Sequence, residues 1–422
     1  MRLPVDSERL RADIERTGEF GAVGADRGHG RTVLAGTEPN RAAREYLCQQ
    51  LEGAGLDVTV DAVGNVAGTW TPDSADPDAP PVAVGSHLDS VPEGGIFDGP
   101  LGVYAGLEAV RAMQDAGVAP ARPITVVSFT EEEGQRFADG LLGSSVAVGE
   151  RSVETALTLE DDDGVTLREA LTEIDYHGEG RLDASEWDAW YELHIEQDTS
   201  LESTGVPVGV VTTITGITHC AVEIRGEANH AGATAMDDRT DALAAASELV
   251  LAVERAADEV VATDSPSAVG TVGSLDVTPN ATNVVPGTVT AGIDVRDVTR
   301  ESMERIVARV TETLARLERE RGVETSFQRP FDLAPTPMSD RLRRAAHDAG
   351  AQAGVETLDL HSGAAHDTMH VADVTDAALL FAPSRDGISH NPREWTDWAD
   401  CAAATRVLAG AVADAAGVSQ TD

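Results

Sequence analysis

Apolar and polar positions change their period several times along the chain, and each change marks an element. Between about residues 40 and 150, short apolar runs alternate with helical patterns. "PPVAVGSH" (80–87) is a continuous apolar run ending on His87. "GPLGVYAGLEAVRAMQDAG" (99–117) carries apolar residues at helical spacing and stops at a glycine. "RPITVVSFTEEEG" (122–134) is β-branched and ends in three glutamates. Strand, helix, strand predicts a βαβ unit in a largely parallel sheet. Ligands bind such sheets beyond the carboxyl ends of the strands. His87 and the glutamates 131–133 fall at such ends.

After residue 212 the pattern changes. "ITHCAVEIRG", "SAVGTVGSLDV", "GTVTAGIDVRD" and "VETSFQRP" read as strands. "DRTDALAAASELVLAVERAA" and "TRESMERIVARVTETLARLERERG" read as helices. The order β-α-β-β-α-β is ferredoxin-like. βα segments flank it on both sides, so residues 213–328 are expected to form an inserted domain. The host is then an α/β catalytic domain made of residues 1–212 and 329–422. Its sheet is expected to be mixed and mostly parallel, and the insert α+β. In "GTVTAGIDVRD", alternation puts Val289, Ala291, Ile293 and Val295 on the core face. Asp294 and Arg296 share the open face.

The start of the chain reads as an amphipathic helix capped near Asp6 or Ser7, without an apolar signal core. No apolar run approaches the ~20 residues that span a bilayer. A cytoplasmic protein is the expectation. "DDDGVTLREAL" is not a calcium loop, because counting back from Gly164 puts Leu159 where the first aspartate belongs. Helix capping by that Asp-rich loop is expected instead. Cys48, Cys220 and Cys401 are far apart, fit no metal spacing and read as reduced thiols.

Charge narrows the partners. The 31 basic residues are all arginine, against 73 acidic ones, for a net charge of −42. Such a surface excludes nucleic acid and anionic membranes as partners. It also repels itself and needs screening by salt. A high-salt cytoplasm suits this halophilic type of surface.

The candidate chemistry lies in five clusters. "GSHLDSVPEGGIFDGPLG" holds His87, Asp89 and Asp98. "FTEEEGQRF" holds Glu131, Glu132, Glu133 and Arg136. "YELHIEQD" holds His194, Glu196 and Gln197. "RGEANHAGATAM" holds His230, and "SRDGISHNPREW" holds His390. Taken singly, each fits a hydrogen-bonded strand end or a solvated face. Together, His, Asp, Glu, His and His without cysteine form a hard-to-borderline ligand set. One metal needs about four donors, so five protein ligands point to two metals sharing one carboxylate. Asp98 is the best bridge, because its glycine-rich turn before a helix can present both oxygens.

"GSHLDSV…GGIFDGPLGV", "EEEGQRF", "ELHIEQ", "HAGATAM", "NVVPG…IDVRD", "SGAAHD" and "ISHNPRE" occur in order from about residue 37 to 410. They resemble the zinc-dependent amidohydrolases of the hydantoinase/carbamoylase family. These act on N-carbamoyl-L-amino acids, β-ureidopropionate or allantoate, and are related to aminoacylase and carboxypeptidase G type metallopeptidases. The resemblance implies two divalent metal ions, zinc first, with manganese or cobalt also suited. It implies that His87 and His194 each ligate one metal beside bridging Asp98, and that Glu133 and His390 complete the second metal. Glu132 would be the general base, and His230 a lid histidine that stabilises the oxyanion. Asp89 would orient His87 from behind the metal, with His366 in a supporting place. Gln197, Asn283 and Arg296 would bind substrate, a small carbamoyl or ureido acid. The inserted domain would act as a lid and pair two chains into a homodimer. Asp198, Ala235 and Ala365 depart from the usual motifs, and none removes a proposed ligand. An aminoacylase or dipeptidase cutting an amide is the alternative enzyme. A metal-free binding protein is the non-enzyme alternative, and the intact ligand set argues against it.

The charge generates a first prediction. Thermal unfolding should shift to higher temperature between dilute and molar KCl, as repulsion among carboxylates is screened. A midpoint that stays constant across that range would contradict it.

Overall fold

The run at 82–87 shows no alternation because all six residues are buried inside a sheet covered on both faces. The computed structural model describes residues 3–24, 28–138 and 140–418. In chain order the strands begin with β1 (Asp57–Val60), β2 (Val66–Trp70), β3 (Val82–His87), β4 (Ile124–Phe129), β5 (Ala189–Ile195) and β6 (Val208–Ile214). Then come β7 (Gly216–Arg225), β8 (Asn229–His230), β9 (Val269–Thr278), β10 (Val284–Val285), β11 (Thr288–Asp297), β12 (Glu324–Leu333) and β13 (Thr336–Pro337). β14 (Thr357–Ser362) and β15 (Ala377–Ala382) close the series. The chain divides into two compact units: residues up to Thr212 together with those from Met338 on, and residues Thr213–Pro337.

In the first unit the sheet order is β1-β2-β4-β3-β5-β15-β6, with β14 beside β6. The middle strands β4, β3, β5 and β15 are parallel. The margins, β1 with β2, β2 with β4, and β15 with β6, are antiparallel. The parallel strands finish nearly level, since His87 pairs with Phe129 and His194 with Phe381. Four loops from distant parts of the sequence therefore leave one edge together. The helix Pro100–Asp115 is buried almost all round. It packs between the sheet and the helix Trp398–Ala415, which is why both are rich in Ala, Val and Leu. Trp187 and Trp190 stack, with Phe129 tilted against them, in a separate core cluster.

The second unit is a four-stranded antiparallel sheet in the order β12-β7-β11-β9. The helices Ala242–Thr263 and Arg300–Arg321 bury their apolar stripes against it. Val289, Ala291, Ile293 and Val295 are buried, as their alternation predicts. The unit runs to Pro337 rather than to 328. β12 continues past a register shift at Gln328/Phe331 and stays paired with β7 as far as Leu333. β13 then pairs with the end of β6, so the segments entering and leaving the unit are hydrogen-bonded to each other.

Capping agrees with the sequence at one end and corrects it at another. The Asp6 side chain accepts from Glu8 N–H and Arg9 N–H at the start of the helix Ser7–Gly18. In the Asp-rich segment the cap is Thr166, which forms a capping box with Glu169. Asp161 instead accepts from Asp163 N–H and Val165 N–H within its own turn. The three cysteines are free thiols. Among the described residues no helix is long and apolar enough to cross a membrane.

Candidate metal centre and active site

Every donor of the first unit's site lies just beyond, or on, the end of a parallel strand. His87 ends β3, the glutamates 131–133 follow β4, and His194 lies near the end of β5. His390 sits in the loop after β15, with φ +53°. Asp98 precedes the helix Pro100–Asp115 in a turn that only glycine permits. Gly99 has φ +83°, and a Cβ there would lie 2.6 Å from the His87 ring. Gly95 is equally constrained, since a Cβ would meet the Glu394 carboxylate at 1.9 Å. Glu394 Oε1 accepts from Phe97 N–H (2.9 Å) and Asp98 N–H (3.1 Å), fixing the backbone on which Asp98 stands.

Two donor sets meet on Asp98. His87, Asp98 and His194 form one, and Asp98, Glu133 and His390 the other. Asp98 Oδ1 is 3.1 Å from His194 Nε2 and 3.5 Å from His87 Nε2. Asp98 Oδ2 is 3.6 Å from His390 Nε2, which lies 3.3 Å from Glu133 Oε2. The imidazole tautomers can be assigned from the far nitrogens. His194 Nδ1 donates to the Ile195 carbonyl (3.0 Å), and His87 Nδ1 to the Asp89 carbonyl (3.3 Å). In neutral rings, both Nε2 lone pairs then face a carboxylate. Among the described residues, His87 Nε2 is buried and has no hydrogen-bond partner. Those nitrogens can face the carboxylate only with a proton or a metal cation between, so these residues fit a metal.

The three glutamates divide their work. Glu131, with φ +54°, turns back to accept from Arg136 N–H and Phe137 N–H, and so shapes the loop. Glu132 Oε2 lies 3.7 Å from His87 Nε2. Glu133 faces His390. Asp89 was expected to orient His87, and its backbone carbonyl (3.3 Å) lies nearer His87 Nδ1 than its carboxylate (3.6 Å). The Asp89 carboxylate instead accepts from Glu132 N–H (3.3 Å) and Glu133 N–H (3.1 Å).

Gln197 places its amide nitrogen 2.9 Å from Asp98 Oδ2. Ser389 Oγ, which sequence reasoning did not single out, donates to the same oxygen at 2.7 Å. Glu394 was missed as a residue although it lies in the motif "ISHNPRE". His366 packs its ring against His194, with centroids 4.7 Å apart, and bonds Ser362 Oγ. Burial and the neighbouring His194 hold His366 well below the usual imidazole range, so it stays neutral.

In the second unit, β8 pairs with β10, and Ala231 N–H donates to the Asn283 carbonyl. His230 and Asn283 are thus brought together. His230 Nδ1 accepts from Gly232 N–H (3.0 Å) and Ala233 N–H (3.2 Å). The neutral ring must then carry its proton on Nε2, as a donor. Arg296 lies on the open face, where its Nε bonds Asp294 Oδ1 (3.0 Å). Asp294 also meets His219 Nε2 at 3.0 Å.

A parallel-sheet unit with imidazoles and carboxylates at its strand ends, and an inserted ferredoxin-like unit, is the frame of a two-unit α/β hydrolase. The chain belongs to the Peptidase family M20/M25/M40, whose model matches residues 83–414. It is 39% identical to the N-carbamoyl-L-amino acid amidohydrolase of Geobacillus stearothermophilus, over 96% of this chain and 97% of that protein. It is 33% identical to the ureidoglycolate hydrolase of Arabidopsis thaliana, over 96% of this chain and 86% of the other. Among solved structures it resembles a hydantoinase/carbamoylase family amidase from Burkholderia multivorans, with a TM-score of 0.91, 35% identity and 98% of each chain covered.

The crowded charges give a pH prediction for the metal-stripped protein. Burial and the Asp98 charge raise Glu133 to about 8. Burial raises Glu131 to about 7, and burial with the Glu192 charge raises Asp367 to about 8. Burial opposes the His194 cation, but Asp98 lifts it to about 9. A raised folded pKa gives stability that is complete below the unfolded value, about 4 for carboxyls and about 6.5 for His, and lost as pH rises through the folded one. The unfolding midpoint of chelated protein should therefore fall from pH 6.5 to 9, and fall less with a divalent cation present. A midpoint that rises across that interval would contradict the account.

Proposed function

We propose that this chain is a two-metal amidohydrolase that cleaves the carbamoyl or ureido C–N bond of an amino-acid-like substrate. The observation that carries the reading is the meeting of two nitrogen-and-carboxylate sets on one buried carboxylate, Asp98. Similarity to hydrolases of carbamoyl amino acids and of ureidoglycolate supports the substrate class. His87 and His194 would hold one cation with Asp98, and Glu133 and His390 the other with the same carboxylate. A bound divalent cation supplies Lewis acidity, polarising the carbonyl and making water a stronger acid. Zinc fits an imidazole and carboxylate set without thiolate, and manganese or cobalt also suits it.

Glu132 is the proton carrier. It stands beside the first donor set and belongs to neither. Burial raises its pKa well above the usual carboxylate range in the metal-free protein, and neighbouring cations would draw it back to the ionised form that a base needs. It takes a proton from the attacking water and gives it to the leaving nitrogen. Asp89 keeps Glu132 and Glu133 in place through their backbone N–H groups. His230 offers Nε2–H to the oxyanion that develops on the substrate. Asn283 and Gln197 contribute polar contacts to the substrate. Arg296 clamps the substrate carboxylate, exchanging Asp294 for it. Among the described residues, the large apolar side chains that stand exposed, Met236, Leu251, Val261, Val269 and Leu275, all lie in the inserted unit, which supports a homodimer formed through that unit.

Two substitutions separate the roles. Glu132→Gln should keep both metals and lower turnover by a factor of about 10² or more. Glu133→Gln should lose one metal equivalent. Elemental analysis and assays of ammonia release, with N-carbamoyl amino acids, β-ureidopropionate and allantoate as substrates, check both. Metal loss from Glu132→Gln with retention in Glu133→Gln would reverse the assignment. Faster cleavage of N-acetyl amino acids or dipeptides than of any ureido compound would overturn the substrate class.

A further inference from the structure

Arg31 lies outside every motif considered above, in "GHGRTVLAG", yet it is completely buried beside the metal-centre loop. Its Nε donates to the Gly95 carbonyl (3.2 Å), and its Nη2 to the Asp89 carbonyl (3.3 Å). Its backbone N–H donates to the Gly94 carbonyl (2.9 Å), and its own carbonyl accepts from Ser90 Oγ (3.4 Å). One residue thus grips the loop at positions 89, 90, 94 and 95. Among the described residues, Nη1 is buried without a hydrogen-bond partner. Burying a guanidinium among neutral carbonyls is costly unless negative charge lies near. The negative groups that act on it most strongly are Glu394 and Asp89, with Asp98 further down the order.

The geometry connects Arg31 to the chemistry through a single atom. The Asp89 carbonyl oxygen accepts from Arg31 Nη2 and from His87 Nδ1, each at 3.3 Å. The second of these bonds selects the His87 tautomer and turns its Nε2 toward Asp98. Moving that carbonyl would free the ring.

We propose that Arg31 is a positioning residue of the metal centre. It fixes the Asp89 carbonyl that orients His87, so that His87 Nε2 is aimed at a cation shared with Asp98 and His194. This rests on the two-metal reading above. A residue that merely staples the loop would affect both donor sets alike. A residue that acts through His87 affects the His87 set far more, because Glu133 meets Asp89 only through its backbone N–H at the carboxylate, and its Oε2 faces His390 rather than the Asp89 carbonyl.

The experiment compares the parent with Arg31→Met and Arg31→Lys, each chelated and then titrated with Co(II). Bound metal is read by equilibrium dialysis and by the visible spectrum, and the unfolding midpoint of each chelated form is measured. The parent should bind two equivalents. Arg31→Met should bind one of them 10- to 100-fold more weakly, roughly the cost of losing a partner behind a metal-bound imidazole, with the other within about threefold of the parent. Arg31→Lys should fall between, because an ammonium keeps the charge but cannot span both carbonyls. Binding of both equivalents as in the parent, or equal weakening of both, would overturn the proposal. If Arg31→Met does not fold, the same two readings on Arg31→Lys decide it. A parent that binds no cation defeats the two-metal reading itself, whereas undisturbed binding in Arg31→Met defeats only the role of Arg31.

Discussion

The Asp98 carboxylate is almost wholly buried, and three imidazoles, an amide and a hydroxyl converge on its two oxygens. A buried charge of that kind is tolerated only when it is paired and held still. The surrounding structure does both. Gly99 provides the left-handed turn that brings the carboxylate against His87. Glu394 accepts from the two backbone N–H groups at positions 97 and 98. The parallel strands supply the remaining donors because their ends are level, so a histidine on β3 and another on β5 reach the same point. Glu133 and His390 approach from the other side. The fold can be read as the means of bringing residues some 300 positions apart to one carboxylate without letting that carboxylate move.

Much of this was legible in the sequence, for physical reasons. β3 and β4 are buried on both faces and so appear as unbroken apolar runs, which is why their ends, and the donors at those ends, could be located. β11 is open on one face and shows alternation, so the places of Val289 to Val295 and of Arg296 followed directly. What could not be read depends on contacts between distant segments. Nothing near Ser389 or Glu394 announces that they serve Asp98. The burial of Arg31 is invisible in a polar, glycine-rich stretch. Arg296 was expected to be available to a substrate carboxylate, and its bond to Asp294, two residues away on the same face, depends on side-chain geometry that spacing alone does not show. The boundary at 337 was missed because a register shift carries β12 beyond the point where its apolar pattern fades. Asp89 shows the limit most finely. The residue was recognised as the partner of His87, but side chain and backbone cannot be told apart in sequence, and the backbone carbonyl is the nearer group.

The charge distribution has two regimes. On the surface, carboxylates outnumber arginines and salt screening governs their effect. Inside, the few cations are placed individually. Arg31 and Arg44 are buried, the latter bonded to the Gly64 carbonyl, Asn40 and Thr130 close to the start of the glutamate loop. Arg31 uses the planar fork to join two backbone carbonyls, and Arg44 uses it to join one carbonyl to two side chains, which lysine does less well. The interior is therefore expected to respond to metal and pH, and the exterior to salt, so the two effects are experimentally separable.

The central claim is that one carboxylate belongs to two metal sets at once. Co(II) titration of Asp98→Asn against the parent tests it most directly, because the substitution keeps the size and removes the charge. The account predicts two equivalents in the parent and, in Asp98→Asn, joint weakening of both by at least about tenfold. One equivalent bound with parental affinity in Asp98→Asn would show that the two sets do not share Asp98, and would contradict the account.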